Sequence, residues 1–395
     1  MKSIGEKIDI NDVSIINKSD FLNIIRDEFK MIISDGGVLL IVVFAMLIYT
    51  TIYSLAYGSE VVERVSIAVI DNDNSTSSRT VINGLRSGPN TEVCYEVENM
   101  SEAKHLFYSR DIFGIVVIPS GFERDIIAGT QTNISIILDG SHLLRYKQVL
   151  EQTTEDVLTY SASVEAMRLV ACGANDIESE DIIQPVAYEW HILNNPSMGY
   201  GSFVMPSIIV VIIQQTLLIG LGMLGVRRRT LANTQTNVAM SVFAKLLVYI
   251  SIYGINLIII LGVLWPLFGF PYNGKTIDVI VVMMLYIIAS SALALTISHL
   301  FKRREAPLML LLWSSIPILL LAGVSYPMQA FPKWLYLIGR VFPSSSAVNA
   351  YVNIGTAGAS LSDVATDIYT LLALAILYII TAIVMEYKYL LSYRK

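Results

Sequence analysis

Residues 269–276 match the pattern G-x-x-x-x-G-K-[ST] of a phosphate-binding loop. Such a loop binds nucleotide only when a β-strand leads into it and a helix follows it, because the backbone amides must then surround the phosphate groups. Here the pattern joins two apolar segments of membrane-spanning length, and Pro271 interrupts the run of amides. No apolar strand ending in Asp stands beside it to supply a magnesium ligand. We therefore predict that this stretch does not bind nucleotide and that the chain has no ATPase site.

No other residue pattern in the sequence is typical of catalysis or metal binding. The histidines lack the i, i+4 spacing of a metal site and have no cluster of cysteines or carboxylates around them: His105, His142, His191 and His299. The G-x-S-x-G pattern of a nucleophilic serine is also absent. Cys94 and Cys172 are too few for a disulfide framework, and free thiols are favoured over a bridge. We expect no catalytic residue, metal site or cofactor in this chain.

The long apolar segments carry neutral polar residues where a proton-coupled transporter or an intramembrane enzyme usually has carboxylates or histidines. The residues that could line a path are Gln214, Gln215, Asn256, Ser314 and Ser315. Hydrogen bonding between helices explains them at least as well as contact with a substrate. If the protein pumps a solute, the free energy must therefore come from a partner.

The composition is that of a membrane protein. Of 395 residues, 54% are hydrophobic and only 15% are charged, whereas soluble domains are about 25% charged. A membrane-spanning helix needs about 20 apolar residues, and the chain offers six such segments: 37–57, 201–226, 246–270, 279–300, 306–326 and 368–385. We predict a polytopic α-helical protein with six spans, with Trp313 of the fifth span packed between helices. Because a long polar stretch precedes the first segment, we expect that segment to be an anchor and not a signal peptide.

Lysine and arginine residues indicate the orientation. They are concentrated after the second, fourth and sixth segments: Arg227, Arg228, Arg229, Lys245, Lys302, Arg303, Arg304, Lys388, Arg394 and Lys395. The loops after the third and fifth segments hold only Lys275, Lys333 and Arg340. Since cytoplasmic loops carry the excess of positive charge, both termini should be cytoplasmic.

The N-terminal region, residues 1–36, contains an amphipathic helix over residues 19–34. Phe21, Ile25 and Phe29 recur at helical spacing, with Arg26 and other charged residues between them. We expect this helix to lie in the cytoplasmic membrane interface. A solvated extension of the first span is the alternative.

Residues 58–200 are soluble in character and separate the first two spans. Strand-like runs at 65–70, 92–97, 112–119 and 133–139 alternate with helical runs. Alternation of this kind predicts an α/β domain with a partly parallel sheet. With both termini in the cytoplasm, this domain is extracytoplasmic.

Several segments, in their order along the chain, resemble the membrane permease subunits of ABC-type exporters of the type-2 permease family. They are IDNDNS at 70–75, IPSGFERD at 118–125, LDGS at 138–141, LAGVSYP at 321–327, FPKW at 331–334 and FPS at 342–344. The resemblance covers nearly the whole chain and favours the kind of permease with a large external domain. It implies a five-helix region at 201–395 with an outer re-entrant hairpin near 326–345. The hairpin residues would be Gly323, Tyr326, Pro327, Pro332, Trp334 and Pro343.

The resemblance also implies partners and a location. A separate cytoplasmic ABC ATPase subunit would hold ATP and magnesium, and the residues expected to contact it are Phe21, Ile25, Arg26, Phe29, Arg227, Arg228, Arg229, Thr230 and Lys245. The family usually has acidic residues and Gly-Thr in this loop and Gly-Lys at the next span, whereas this chain has Arg228-Arg229-Thr230 and Ala244-Lys245. Further expected partners are a second permease copy or a paralogue, a periplasmic adaptor and membrane lipid, in a bacterial inner membrane.

Two functions are consistent with this resemblance. The first is export of a hydrophobic or amphipathic substrate, such as a drug, a lipid or a peptide, along a path between two protomers. The alternative is an ATP-coupled mechanical or signalling protein that moves no solute and acts through its external domain. A continuous polar path at the dimer interface would favour export. A membrane enzyme is disfavoured because no catalytic cluster is found.

Overall fold

The computed structural model describes residues 18–173, 183, 191–230 and 237–393. The chain forms two compact units. One consists of the residues up to Glu60 together with those from Ile192 onward, and it is helical. The other extends from Val61 to His191 and contains a β-sheet. The predictions for residues 1–17, 231–236 and 394–395 lie outside the described part of the chain.

The helical unit consists mainly of long apolar helices. Its helices are α1 (Lys18–Ile33), α2 (Gly36–Ala56), α7 (Tyr200–Thr230), α8 (Val238–Leu267), α9 (Thr276–Ser298), α10 (Glu305–Leu321), α11 (Lys333–Val341), α12 (Pro343–Tyr351) and α13 (Ala365–Tyr393). In the described ranges, α2, α7, α8, α9 and α13 are long and apolar enough to cross a membrane. These five helices lie where the sequence predicts spans, so a polytopic helical membrane protein is confirmed.

The helix at the predicted fifth span, α10, is shorter than expected. It has 17 residues and ends at Leu321, whereas the apolar run of the sequence continues to Tyr326. The chain leaves the helix because Gly323 adopts a positive φ of 81°, a conformation that glycine adopts without strain. The boundary predicted at Tyr326 is therefore wrong, and a total of six spans stays a prediction.

The position of Trp313 on α10 also differs from the expectation. Its side chain is 85% exposed, so it does not pack between helices of this chain. Met309 and Ile316 lie three or four residues away on the same helical face, and they are 69% and 67% exposed. Hydropathy alone could not assign this face, because the apolar residues of α10 are spread around the helix and do not form a single stripe.

Burial places α7 at the centre of the helical unit. Of its most apolar stretch, 78% is buried inside the chain, against 28% for α13. It packs against α2, α9, α10 and α12. The α7, α9 and α13 helices end on the side where α8 and α10 begin; we call this side the α1 end. The opposite side, where α11 and α12 lie, is called the hairpin end.

The hairpin end is built from short pieces between α10 and α13. A 3₁₀ turn at Met328–Ala330 precedes α11, and Phe342 links α11 directly to α12. Pro343 occupies the first turn of α12, where its fixed φ suits a helix start. The α12 helix packs against α7, α9 and α13, so this part of the hairpin is inside the helical unit.

The second unit contains a four-stranded sheet with the order β2-β1-β3-β4. The strands are β1 (Val65–Asp71), β2 (Thr91–Glu96), β3 (Gly114–Ile118) and β4 (Ser135–Leu138). β1 is parallel to both neighbours, and β4 is antiparallel to β3. The strands lie at the predicted positions, and the prediction of a partly parallel sheet is confirmed. The side of the membrane on which this unit lies stays a prediction.

Helices cover both faces of this sheet. They are α3 (Thr76–Ser87), α4 (Met100–Tyr108), α5 (Phe122–Ile127) and α6 (Leu143–Ala171). Successive side chains of a strand point to opposite faces, and β1 is apolar on both. Ile67 and Val69 share one hydrophobic cluster with Val149 of α6, whereas Ala68 and Ile70 share another with Ala103 of α4. Because both faces of β1 are covered, its continuous apolar run is suited to an interior position of the sheet.

Candidate functional site, an ion-pair network at the α1 end

Glu28 is a buried carboxylate on the inner face of α1. It lies between Ile25 and Ile32, which face the core of the helical unit, and it is only 1% exposed. Arg228, near the end of α7, donates to Glu28 through its Nε at 3.1 Å and also through its Nη2. The hydroxyl of Tyr249 on α8 donates to the same carboxylate and accepts from the Arg228 Nη2 at 2.7 Å. Three helices therefore meet in one closed hydrogen-bonded group.

Electrostatics keep Glu28 ionised. Burial raises the pKa of this carboxyl, but the charge and hydrogen bonds of Arg228, assisted by Lys245, outweigh burial and hold the pKa below its ordinary value. Bidentate, charge-assisted hydrogen bonds of this kind are among the strongest in proteins. Because a buried charge without its partner is costly, we expect loss of either Glu28 or Arg228 to destabilise the helical unit.

A second buried pair links α8 to α13. The Lys245 ammonium donates to Glu386, and the Ser241 hydroxyl donates to the same carboxylate at 3.0 Å. His299, directly after α9, lies with its Nε2 3.7 Å from the other Glu386 oxygen. The side chains of Lys245 and Glu386 are only 10% and 12% exposed. The ends of α9 and α13 are thus joined to the start of α8.

A third pair connects the start of α2 to the start of α10. Asp35 accepts from the Arg304 Nη2 at 2.6 Å, and it also caps α2 by accepting from the Val38 amide at 3.3 Å. Arg227 adds a weaker link, since its Nη1 donates to the Met31 carbonyl at 3.4 Å. The segment from α1 to α2 is therefore fastened to α7, α8 and α10. A displacement of α1 would pull on all of them.

The predicted ATPase-contact residues fall into two groups. Phe21, Ile25 and Phe29 are half-buried, and Ile25 and Phe29 pack against the core, while Arg26 is exposed. Arg228 and Lys245 are largely covered within the chain by the ion pairs described above, and Arg227 is half-buried. The side chains of Arg229 and Thr230, also predicted contacts, lie outside the described residues. Contact of this set with a partner stays a prediction.

The predicted path-lining residues differ in their surroundings. Gln214 is fully buried, and its Oε1 accepts from the Ser344 amide at 2.9 Å in the first turn of α12. Asn256 donates to the Val43 carbonyl, inside a π-helical turn of α2, at 3.0 Å. Gln215 is buried, and neither of its amide atoms has a hydrogen-bond partner in the described part of the chain.

The two predicted path-lining serines are satisfied locally. Ser314 and Ser315 are half-buried and donate to carbonyls of their own helix at 3.0 and 2.6 Å. Of the five predicted residues, Asn256 thus acts as a link between helices, and Gln214 caps α12. Gln215 retains hydrogen-bonding capacity that nothing described in the chain uses.

The predicted hairpin residues all lie between the end of α10 and the start of α12. Gly323 forms the turn, and Tyr326 stacks on Phe331 with ring centroids 5.9 Å apart. Pro327 precedes the 3₁₀ turn, and Pro332 precedes α11. The two remaining residues have opposite surroundings, since Pro343 is buried in α12 and Trp334 is exposed on α11.

In the segment that matches a phosphate-binding loop, backbone amides donate hydrogen bonds to a carbonyl of this chain. The amides of Asn273 and Gly274 both donate to the Gly355 carbonyl, at 2.9 and 3.2 Å. The stretch follows the helix that ends at Leu267 and leads into α9, so no strand feeds it. Its amides are therefore not arranged around a phosphate group.

Sequence reasoning missed the acidic half of the network: Glu28, Asp35, Glu386 and their neighbour Tyr249. Glu28 could have been noticed, because a carboxylate on the apolar face of an amphipathic helix demands a buried partner. Glu386 stands beside the last apolar run and carried a similar signal. The partners themselves could not be assigned, since Glu28 and Arg228 are 200 residues apart in sequence.

Comparison with known proteins agrees with the resemblance seen in the sequence. A search of curated proteins found no match. A model of the family described as ABC-2 family transporter protein, however, matches residues 37–384. That range contains α7 to α10, the hairpin and the sheet-containing unit, together with nearly all of α2 and most of α13. The chain therefore belongs to the ABC-2 family of transporter proteins.

Proposed function

We propose that this protein is the membrane permease subunit of an ATP-driven exporter in a bacterial inner membrane. The α1 end faces the cytoplasm, where a separate ABC ATPase subunit binds ATP and magnesium. The family match supports an ATPase partner, since ABC-2 permeases are the membrane components of ABC transporters. The distribution of lysine and arginine supports the orientation.

The observation that carries the proposal is the attachment of α1 to the helical unit. Its inner face holds Glu28 in the group with Arg228 and Tyr249. Its outer face leaves Leu22 and Arg26 exposed. A partner that binds the outer face and moves on ATP binding would displace α7 and α8 together with α1. Rigid-body movement of this kind is the usual basis of alternating access.

The substrate is hydrophobic or amphipathic, and it moves along a path between two copies of the permease or between this chain and a paralogue. The neutral character of the residues predicted to line the path supports this class, because a path without ionisable groups suits a weakly polar solute. Gln215 is the best-placed contact, since its amide atoms have no partner among the described residues. The sheet-containing unit lies outside the membrane and contacts a periplasmic adaptor.

Purification of the tagged permease in a mild detergent, followed by an ATPase assay of the eluate, tests this function. The expected result is one ATPase subunit per permease and ATP hydrolysis in the eluate. Recovery of the permease alone in several detergents, without hydrolysis, would contradict the proposal. Reconstituted complex that hydrolyses ATP but moves no hydrophobic solute would favour the mechanical or signalling alternative.

A double substitution on the exposed face of α1 tests the contact itself. Leu22→Glu with Arg26→Glu should abolish co-purification of the ATPase without unfolding the permease, because both side chains are exposed. Lys275→Glu, an exposed charge reversal at the hairpin end, is the matched control and should leave the ATPase bound. Equal recovery of the ATPase with both variants would remove α1 from the interface.

A further inference from the structure

A cavity of about 320 Å³ lies at the hairpin end. Its walls come from the end of α10, the 3₁₀ turn, α11, α12 and the residues around the start of α13. All of these belong to the helical unit. None of the residues predicted to line a path contributes to it. Its volume falls at the lower end of the range of small-molecule sites.

One wall of the cavity is a closed ion pair. Arg340 of α11 donates to the buried Asp367 and, at 2.8 Å, to the Ser346 hydroxyl. Asn349 also donates to the Asp367 carboxylate. The charges of this wall cancel, and its polar atoms are held in place by α12. The wall therefore provides shape and rigidity without a net charge.

The lip of the cavity carries an exposed carboxylate, Asp363. It accepts hydrogen bonds from the Ser360 amide at 2.9 Å and from the Ser360 hydroxyl at 2.6 Å. These bonds hold the pKa of Asp363 below its ordinary value, so the group is ionised at neutral pH. In the described part of the chain Asp363 forms no ion pair. The ionisable lining residues Arg340, Asp363 and Asp367 thus leave one negative charge at the cavity mouth.

The floor of the cavity is apolar, and one side is aromatic. Met328, Val348 and Val364 are buried lining residues. The half-buried ring of Tyr336 lines the cavity, with the Arg340 guanidinium 5.5 Å from its centroid. An apolar floor, an aromatic ring and an unpaired carboxylate at the mouth together match the chemistry of an alkylammonium ion. Aromatic faces attract such cations, and apolar surface accommodates their carbon groups.

We propose that this cavity binds an organic cation through its alkylammonium group. The cation is a free amphipathic amine or quaternary ammonium compound, or it is the ammonium headgroup of phosphatidylethanolamine from the adjoining membrane leaflet. The charged nitrogen pairs with the Asp363 carboxylate, and the carbon groups contact the lining residues Tyr336, Met328, Val348 and Val364. This site goes beyond the proposed function, because all of its lining residues belong to the helical unit of this chain and lie at the end opposite the proposed ATPase contact.

The probe for the test is phenyltrimethylammonium, measured by saturation-transfer NMR on the full chain in nanodiscs of phosphatidylglycerol, with empty nanodiscs subtracted. Asp363→Asn keeps an acceptor for Ser360 while removing the charge, and Tyr336→Leu removes the ring. We expect Asp363→Asn to weaken binding about fivefold and Tyr336→Leu about three- to fivefold. Asp278→Asn, in the first turn of α9 outside the cavity, is the matched control and should bind as the wild type does.

A second set of nanodiscs, containing phosphatidylethanolamine, identifies the source of the ammonium group. Weaker binding of the probe to the wild type in these discs assigns the cavity to the lipid headgroup. Equal binding in the two kinds of disc assigns it to free cations. Lack of saturable binding in phosphatidylglycerol discs, or unchanged affinity in either Asp363→Asn or Tyr336→Leu, overturns the proposal. The permease is tested without an ATPase, so failure here is distinct from failure of the proposed function.

Discussion

Replacing Glu28 by Gln tests whether the ion pair at the α1 end stabilises the helical unit. The substitution keeps the size of the side chain and removes its negative charge. Arg228 is then left with Tyr249 as its remaining partner in the group. Because the carboxylate is only 1% exposed and the Arg228 side chain only 11% exposed, water cannot replace the lost partner.

The expected magnitude follows from this burial. Removing one partner of a buried ion pair costs about 3–5 kcal/mol, because an uncompensated charge remains. We therefore expect Glu28→Gln to lower the free energy of unfolding by about that amount. Asp27→Asn, at the exposed neighbouring position of the same helix, is the matched control and should change it by less than about 0.5 kcal/mol.

The assay is equilibrium unfolding of the purified chain by SDS in mixed micelles, followed by circular dichroism. The double variant Glu28→Gln with Arg228→Met removes both charges and replaces the arginine by an apolar side chain. Its unfolding free energy should return to within about 2 kcal/mol of the wild type, since apolar replacement of a buried pair is often close to neutral. The reasoning is refuted if Glu28→Gln lowers the unfolding free energy by less than about 1 kcal/mol. It is also refuted if the loss in the double variant equals the sum of the losses measured separately for Glu28→Gln and Arg228→Met.

The pH dependence of the same measurement has a definite sign. The pKa of Glu28 is lowered from 4.5 in the folded chain, so folding favours the ionised carboxylate. The resulting stabilisation is complete above the unfolded value of 4.5 and is lost as the pH falls through the lower folded value. The difference between the wild type and Glu28→Gln should therefore be constant from neutral pH down to about pH 5.5 and shrink below about pH 4.5. A difference that grows on acidification would contradict the assignment.

Three further outcomes are expected. Lys275→Ala should leave ATP hydrolysis by the purified complex unchanged, because this lysine lies in a loop whose neighbouring amides bond to a backbone carbonyl. Gly323→Ala should lower the unfolding free energy by about 1–2 kcal/mol in the same SDS titration, because φ there is +81°. Asp73→Ala should lower the stability of α5 by about 1 kcal/mol, because Asp73 accepts from the Gly121 and Glu123 amides at 2.7 and 2.9 Å. The measurement is amide exchange, which should become faster in the first turn of α5. A neighbouring serine hydroxyl and these amides lower the pKa of Asp73. In the wild type, protection of the α5 amides against exchange should therefore decrease as the pH drops below about 4.

Each of these three has an outcome that would contradict it. Loss of hydrolysis in Lys275→Ala, with the ATPase still bound, would give the loop a role in nucleotide binding. Gly36→Ala is the control for Gly323→Ala, because a Cβ added at Gly36 meets nothing within 4 Å. Equal stability of the two variants would refute the backbone strain expected for alanine at position 323. Unchanged exchange in Asp73→Ala would show that the amides of α5 are held by other contacts.

The positions of the long helices and of the strands could be predicted because their causes are local. Backbone groups in lipid must bond within their own segment, so about 20 apolar residues without charge can only be a helix. The apolar run at β1 and the polar turns around it likewise identify a strand buried on both faces. The error at α10 has a local cause as well, since the turn at Gly323 interrupts an apolar run that hydropathy alone reads as continuous.

Which face of each helix is covered, and by which partner, followed only from the packing of the chain. Trp313 lies in an apolar run like its neighbours, yet its side chain is 85% exposed. Arg228 and Lys245 could be placed beside a membrane surface from the sequence, but their carboxylate partners could not. Gln214 and Gln215 are adjacent in the sequence, and only the packing shows that the first caps α12 while the second keeps both amide atoms without a partner among the described residues.

The sequence by itself determined the membrane class, the long helices, the α/β unit and the family resemblance, because hydropathy and strand alternation act over a few neighbouring residues. The tertiary structure decided that Glu28 pairs with Arg228, Lys245 with Glu386 and Asp35 with Arg304. It also decided that Arg340 and Asp367 form one wall of a cavity. These pairings depend on which helix ends meet in space, and helices of similar hydropathy can be packed in many orders. The physical reason is that a buried charge requires a partner but does not specify, from local sequence, which partner it will have.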